Sequence, residues 1–245
     1  MKAGSVSVLF MLITTFICVF APTLLAAVVV KKYKANWRAL FLGAAAFTVA
    51  QPLLRLPLLK WLGYKTWFVL FSQSNTLLFL ALLGLSAGIF EELSRFIALR
   101  VFLKKRLTWA NGVVFGLGHG GAEALLLVGL SYVRLLYGLM SGQLVGLLSQ
   151  TPPYLFLVAG LERVMAISAH VGMTLLVLYA VKSKKIRYLL YAILFHGLLD
   201  SPVVTLLSQR GEIWASEGYV AVFAVFALWL TVRFKAILSA NKSPV

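Results

Sequence analysis

The stretch Ser86-Ala-Gly-Ile-Phe-Glu-Glu-Leu-Ser-Arg-Phe-Ile-Ala-Leu99 sets two adjacent carboxylates, Glu91 and Glu92, in the middle of an apolar run. The chain of 245 residues holds only seven acidic residues and is 61% hydrophobic. An ionisable side chain at bilayer depth costs a few kcal/mol at least, so it faces a protein interior or a water-filled cavity and marks a pathway or a reaction centre. Read as a membrane helix, this stretch decides the fold class and shows where the chemistry is to be sought.

Composition agrees with that reading. A mean hydropathy of +0.94 lies outside the soluble globular range. Six or seven spans of about 20 apolar residues, a length set by a hydrocarbon core of roughly 30 Å, use up nearly the whole chain. The expectation is one integral-membrane domain over residues 1–245, with no separate soluble domain and a motif-bearing core at about residues 74–208. The net charge of +16 comes from short basic clusters between apolar runs. An aromatic-interleaved basic face is lacking, which argues against a nucleic-acid partner. The single cysteine, Cys18, excludes an intrachain disulfide and any cysteine-based zinc cluster.

Seven apolar segments follow from the pattern: roughly Ser5 to Val30, Trp37 to Leu59, Ser74 to Phe102, Thr108 to Met140, Pro153 to Val181, Ile186 to Leu207 and Tyr219 to Val232. The first is too long for the 7–15-residue apolar region of a signal peptide and stops at Lys31-Lys32-Tyr33-Lys34, as a span does. The runs lack the alternation of a membrane barrel, so the spans are helices and the fold is all-α, a polytopic transmembrane helix bundle of about seven spans.

Basic residues give the orientation. Lys31, Lys32, Lys34 and Arg38 follow the first segment, and Arg100, Lys104, Lys105 and Arg106 the third. Lys182, Lys184, Lys185 and Arg187 follow the fifth, and Arg233, Lys235 and Lys242 the seventh. The opposite side collects only Lys2, Lys60, Lys65 and Arg210, and the loop from Ser141 to Pro153 carries no charge. By the positive-inside rule the N-terminus is outside and the C-terminus cytoplasmic, in a cell-membrane protein that crosses an odd number of times. Arg55, between Pro52 and Pro57, reads as a residue near the outer end of a kinked helix, and Arg134 as one that reaches the outer interface.

The remaining ionisable residues of the spans are Glu91, Glu92 and Arg95, then His119 and Glu123, then Glu162, Arg163 and His170, then His196 and Asp200. Counted from the nearest basic cluster at about 1.5 Å per residue, Glu92, His119, His170 and Asp200 fall roughly 18–20 Å deep, His196 roughly 14 Å and Glu123 roughly 25 Å. Four helices thus bring carboxylates and imidazoles near one level. His119 and Glu123, and likewise His196 and Asp200, are four apart and share a helix face, within reach of a metal or a hydrogen bond. Glu91 and Glu92 point about 100° apart, which divides labour between a carboxylate turned to the cavity and one paired with Arg95. Such a set suits water activation at an amide, with a carboxylate as base and imidazoles that hold water, a metal or the developing oxyanion.

Plainer roles fit some of these residues. Taken alone, His170 or His196 is a helix-packing hydrogen-bonder. Glu162-Arg163 is an outer-interface ion pair or cap, and Asp200 orients His196 or caps the turn before Pro202. The glycines of Gly116-Leu-Gly-His-Gly-Gly121 serve close helix packing, because no strand precedes them to make a phosphate loop.

These motifs resemble those of the CAAX-protease and bacteriocin-processing clan of glutamate-dependent intramembrane proteases. Glu91-Glu92-Leu93-Ser94-Arg95 is similar to the clan's double-Glu motif, Phe115-Gly-Leu-Gly-His119 to its F-x-x-x-H motif, and His196-Gly-Leu-Leu-Asp200 to its final H-x-x-x-D or H-x-x-x-N motif. The chain most resembles the YhfC family of intramembrane metalloproteases, over Ser86 to roughly Pro202. Its Arg95 spacing departs from the E-E-x-x-x-R of CAAX enzymes, and Arg95 stands where PrsW-like members have lysine. The resemblance implies an endopeptidase that cuts a membrane protein or peptide, with Glu91 or Glu92 as base together with His119 and His196. Arg95, Glu123, His170 and Asp200 would be supporting residues. Zinc would be a possible cofactor, with His119, His170, His196 and Glu123 its candidate ligands. Two rivals stand beside this: a non-catalytic scaffold or bacteriocin-immunity factor with the same cavity, and a proton-coupled transporter, against which the lack of an inverted repeat counts. Substrate identity and oligomeric state are not legible.

Overall fold

The computed structural model of the protein describes residues 2–104, 106–142, 150–201, 205–207 and 211–240. Lys105, Pro202, Arg210, Lys242 and most of the uncharged loop after Ser141, all used in the sequence reading, lie outside these. The described residues are mainly helical. Their α-helices are α1 (Lys2–Val19), α2 (Ala21–Tyr33), α3 (Trp37–Thr48), α4 (Leu56–Leu62), α5 (Thr66–Ser74), α6 (Thr76–Phe102), α7 (Trp109–Glu123), α8 (Leu130–Met140), α9 (Pro153–Ser183), α10 (Arg187–Leu199) and α11 (Ile213–Ala240).

Among the described residues five helices are long and apolar enough to cross a membrane: Trp37–Leu62, Thr76–Phe102, Trp109–Met140, Pro153–Ser183 and Ile213–Ser239. The pair α1 and α2, bent by 44° where Pro22 opens the second helix, makes a sixth if taken as one span. Among the described residues of the segment expected from Ile186 to Leu207, 205–207 are helical and the longest helix is the 13-residue α10. That length rises about 20 Å and falls short of a hydrocarbon core of roughly 30 Å.

Basic ends gather on one side. Lys235 Nζ donates to Tyr33 Oη at 3.3 Å and lies over the Trp109 ring. Trp109 Nε1 donates to the Thr231 carbonyl at 2.9 Å. The Asn36 amide donates to Asn111 Oδ1 at 2.8 Å, while Asn111 Nδ2 donates to the Arg106 carbonyl at 2.8 Å. The loops after α2 and α6 and the far end of α11 therefore meet, as alternate passes through a bilayer require.

The core surrounds α9, whose membrane stretch is 67% buried against 28% for α6 and α11. Glycines set the closest approaches. A Cβ on Gly43 would lie 2.0 Å from the Phe115 carbonyl oxygen, and one on Gly118 would lie 2.0 Å from that of Leu40, so α3 and α7 touch backbone to backbone. Gly116 meets the Val171 Cα of α9, and Gly84 and Gly88 meet carbonyls of Asp200 and Ile193. The glycine run around His119 is a packing surface, as expected. Large apolar side chains such as Phe41, Leu77, Phe102 and Val222 face outward, the pattern of a surface solvated by lipid.

Two helices change pitch beside the core. Val49–Arg55 is a π-helical turn with Pro52 inside it, where the ring removes a backbone donor and crowds the preceding turn. Ala124–Gly129, just after Glu123, is a second. Arg55, expected in a kinked helix, ends this first turn, and both turns border the site.

Candidate functional site

Four elements deliver the buried polar side chains to one place. Glu91, Glu92 and Arg95 come from α6, His119 from α7, His170 from α9 and His196 from α10, and each is at most 2% exposed. Single-level placement, estimated from residue counts, is here a set of direct contacts.

Glu92 is fully occupied. Arg95 Nη1 donates to both of its oxygens at 2.6 Å, and His196 Nδ1 lies 2.8 Å from Oε1. The second Arg95 nitrogen, Nη2, is 3.1 Å from His170 Nδ1. Glu91 points the other way, into a cavity. Its Oε2 is 2.9 Å from His119 Nε2, and its Oε1 accepts from Gln51 Nε2 at 2.5 Å and lies 3.7 Å from His196 Nε2. The division expected between the two carboxylates is thus resolved: Glu91 faces the cavity and Glu92 holds Arg95.

The cavity has a volume of about 360 Å³. Besides Glu91, its polar lining includes Gln51, Arg55, Glu123, His170, His196 and Asp200. Its lining also includes Leu199 and Ser201, at the end of α10. Irregular backbone at membrane depth is tolerated where it lines an aqueous cavity, which accounts for the short α10.

The helix-sharing pairs split across the site. His119 turns to Glu91, while Glu123 contacts His170 Nε2. Asp200 Oδ2 is 3.6 Å from His196 Nε2, beyond hydrogen-bond range. Glu162 and Arg163 form the expected ion pair, and Arg163 also donates to Glu123 at 2.9 Å, so this pair belongs to the cavity wall. Gln51 escaped the sequence reading, although an amide beside Pro52 in an apolar segment was its signal. Arg55, expected near the outer end of a kinked helix, also lines the cavity. It donates to Gln51 Oε1 at 3.0 Å, to Ser86 Oγ at 3.0 Å and to the Leu83 carbonyl at 2.7 Å, which backs the Gln51–Glu91 contact.

The donor atoms suit a metal ion. One oxygen of Glu91 and one ring nitrogen each of His119 and His170 lie within 4.8 Å of one another, and all three residues are buried. His119 Nδ1 is buried without a hydrogen-bond partner among the described residues. Two imidazoles and a carboxylate are a donor set that leaves one tetrahedral position open. This compact set holds Glu91 where Glu123 and His196 were expected. The His196 ring is 5.5 Å from that of His170, with Nδ1 committed to Glu92.

Comparison with known proteins agrees with this architecture. A curated relative, "Uncharacterized membrane protein YhfC" of Bacillus subtilis (strain 168), is 36% identical over 236 residues, covering 84% of this chain and 88% of the relative. No solved structure matches the chain significantly. The relative's description and the apolar helices identify a multi-pass membrane protein. Residues 16–224, which carry every side chain of the buried cluster, match the model of the YhfC intramembrane metalloprotease family, and the chain belongs to that family.

Proposed function

We propose that the protein is an intramembrane endopeptidase that adds water to a peptide bond of a membrane protein or peptide. The observation that carries this is the Glu91 carboxylate, set between His119 and His196 in a polar cavity at bilayer depth, beside a second carboxylate already neutralised by Arg95. Burial of such a cluster costs too much to persist as packing alone.

Glu91, His119 and His170 would hold a zinc ion. Bound there, it supplies Lewis acidity and lowers the pKa of a coordinated water. The remaining chemistry belongs to the chain. Arg95 pairs with Glu92, and Glu92 anchors Nδ1 of His196, so that Nε2 of that ring is turned toward Glu91 and the cavity. His196 Nε2 takes the proton of the attacking water and returns it to the amide nitrogen as the C–N bond breaks. Gln51 and Arg55 hold Glu91 in register.

One contact favours a metal-free version of the same hydrolysis. His170 has both nitrogens engaged, Nδ1 by Arg95 and Nε2 by Glu123. In that version Glu91 itself takes the water proton.

The test is metal analysis of the detergent-purified protein with cleavage of a quenched membrane-peptide library on the same samples. Stoichiometric zinc and cleavage in the wild type are expected, with both lost in His119→Ala, and with His196→Gln retaining zinc while cleavage falls at least 100-fold, about the size of one general acid–base contribution. Cleavage without metal that depends on Glu91 selects the metal-free version. Neither metal nor cleavage overturns the proposal.

A further inference from the structure

A second site lies away from the buried cluster, between α3 and α6 at the basic end of the molecule. Arg38, Lys104 and Arg106 line a cavity of about 250 Å³ together with Asn36, Val101, Phe102 and Leu103. No acidic residue stands in residues 31–38 or 100–108, so these two segments supply no anion for their cations. Their backbone is held in place: Asn111, 5% exposed, accepts from the Asn36 amide and donates to the Arg106 carbonyl. The Asn36 side chain accepts from the Arg38 amide and caps α3.

Phe102 also closes the end of an apolar groove of about 410 Å³ that runs from Leu42 to Leu54 along one wall and from Ile89 to Phe102 along the other. Its floor is stitched by Ser94 Oγ, which donates to the Ala46 carbonyl at 2.8 Å. Ile97 and Leu54 stand exposed along it. From Leu42 to Leu54 the helix rises about 18 Å, close to half of a hydrocarbon core of roughly 30 Å. Its volume is in the range of small-molecule sites, about 300–1,000 Å³, and it is slight beside a transmembrane helix 10–12 Å across.

A cationic pocket that shares its Phe102 wall with an apolar groove about one leaflet long has the shape and charge to take one amphiphile. We infer that this surface binds an anionic phospholipid, with the headgroup phosphate on Arg38, Lys104 and Arg106 and one acyl chain between α3 and α6. The inference does not depend on the proposed hydrolysis. Basic pockets between membrane helices recognise anionic headgroups through about 1 kcal/mol per Lys or Arg. The lipid would also brace α3, whose extension carries Gln51 to Glu91.

Native mass spectrometry of the full-length protein in detergent, with phosphatidylglycerol or phosphatidylcholine added, tests this. One phosphatidylglycerol retained per chain in preference to phosphatidylcholine is expected. The three cationic side chains are exposed, so Arg38→Ala/Arg106→Ala folds, and it weakens phosphatidylglycerol retention about 25-fold at roughly fivefold per lost cation. The charge-matched control Lys31→Ala/Arg233→Ala leaves retention unchanged. Ala45→Trp, which fills the groove, lowers retention with the cations intact. Equal retention of the two lipids, or equal losses in the double variant and its control, overturns the inference. So does an Ala45→Trp protein that keeps the lipid but no longer cleaves peptide, because the groove would then belong to substrate.

Discussion

At Glu92 one Arg95 nitrogen serves both carboxylate oxygens and His196 serves one of them again, all out of contact with solvent. Removal of one partner of a buried ion pair strands the other charge and costs about 3–5 kcal/mol, whereas replacement of both by apolar groups is often neutral. Glu92→Gln is therefore expected to lower the thermal unfolding midpoint in detergent far more than Glu91→Gln does, since Glu91 opens onto a cavity that water can solvate. Glu92→Gln/Arg95→Met is expected to recover most of that loss without restoring cleavage, because His196 no longer has its anchor. Tryptophan fluorescence melts of the four proteins check this. Equal destabilisation by the two single substitutions would contradict the division of labour between the carboxylates.

The elements meet through glycine. Gly43 and Gly118 allow α3 and α7 to touch, and this contact carries the α7 residue His119 to Glu91 of α6. A methyl group at residue 118 meets the Leu40 carbonyl, which belongs to helix backbone and yields only if α3 moves. Gly118→Ala is expected to cost about 1–3 kcal/mol as an overpacked core does, and to reduce zinc content and cleavage together as His119 shifts. Gly218→Ala, where a Cβ meets nothing within 4 Å, is the control and is expected to be neutral or slightly stabilising. Retention of full activity and stability by Gly118→Ala would show that α3 and α7 need not touch. The π-helical turns act on the same scale, since the one over Val49–Arg55 brings Gln51 and Arg55 to the cavity wall.

For the whole molecule we propose seven passes, with α10 an incomplete one, from the alternation of basic and non-basic ends along the sequence. We propose that the basic end is cytoplasmic, following the positive-inside rule. In a Cys18→Ala background, Tyr64→Cys at the opposite end is expected to react with a membrane-impermeant maleimide in intact cells, and Lys104→Cys only after permeabilisation. Exchange of the two results would invert the topology, and labelling of both from one side would break the seven-pass path. The cavity walled by Asp200 and Ser201 shares no lining residue with the basic pocket between α3 and α6.

Hydropathy alone determined that the chain is helical and embedded in a membrane, because only a long apolar helix satisfies its backbone there. Scarcity of charge singled out Glu91, Glu92, Arg95, His119, His170 and His196, since each is too costly in that setting to lack a partner. Helical spacing put His119 with Glu123 and His196 with Asp200, yet His119 pairs with Glu91 from 28 residues away and His196 with Glu92 from 104 away. Such partners depend on how far each helix turns and how closely it approaches its neighbour, which backbone contacts at Gly43, Gly88 and Gly118 decide. Gln51 stayed hidden, and the link from Arg163 to Glu123 with it, for the same reason: a polar residue near a span's end becomes part of a site only when a π-helical turn or a second carboxylate draws it in. The residue types were thus legible from their desolvation cost, and the partnerships only from the packing of helices distant in sequence.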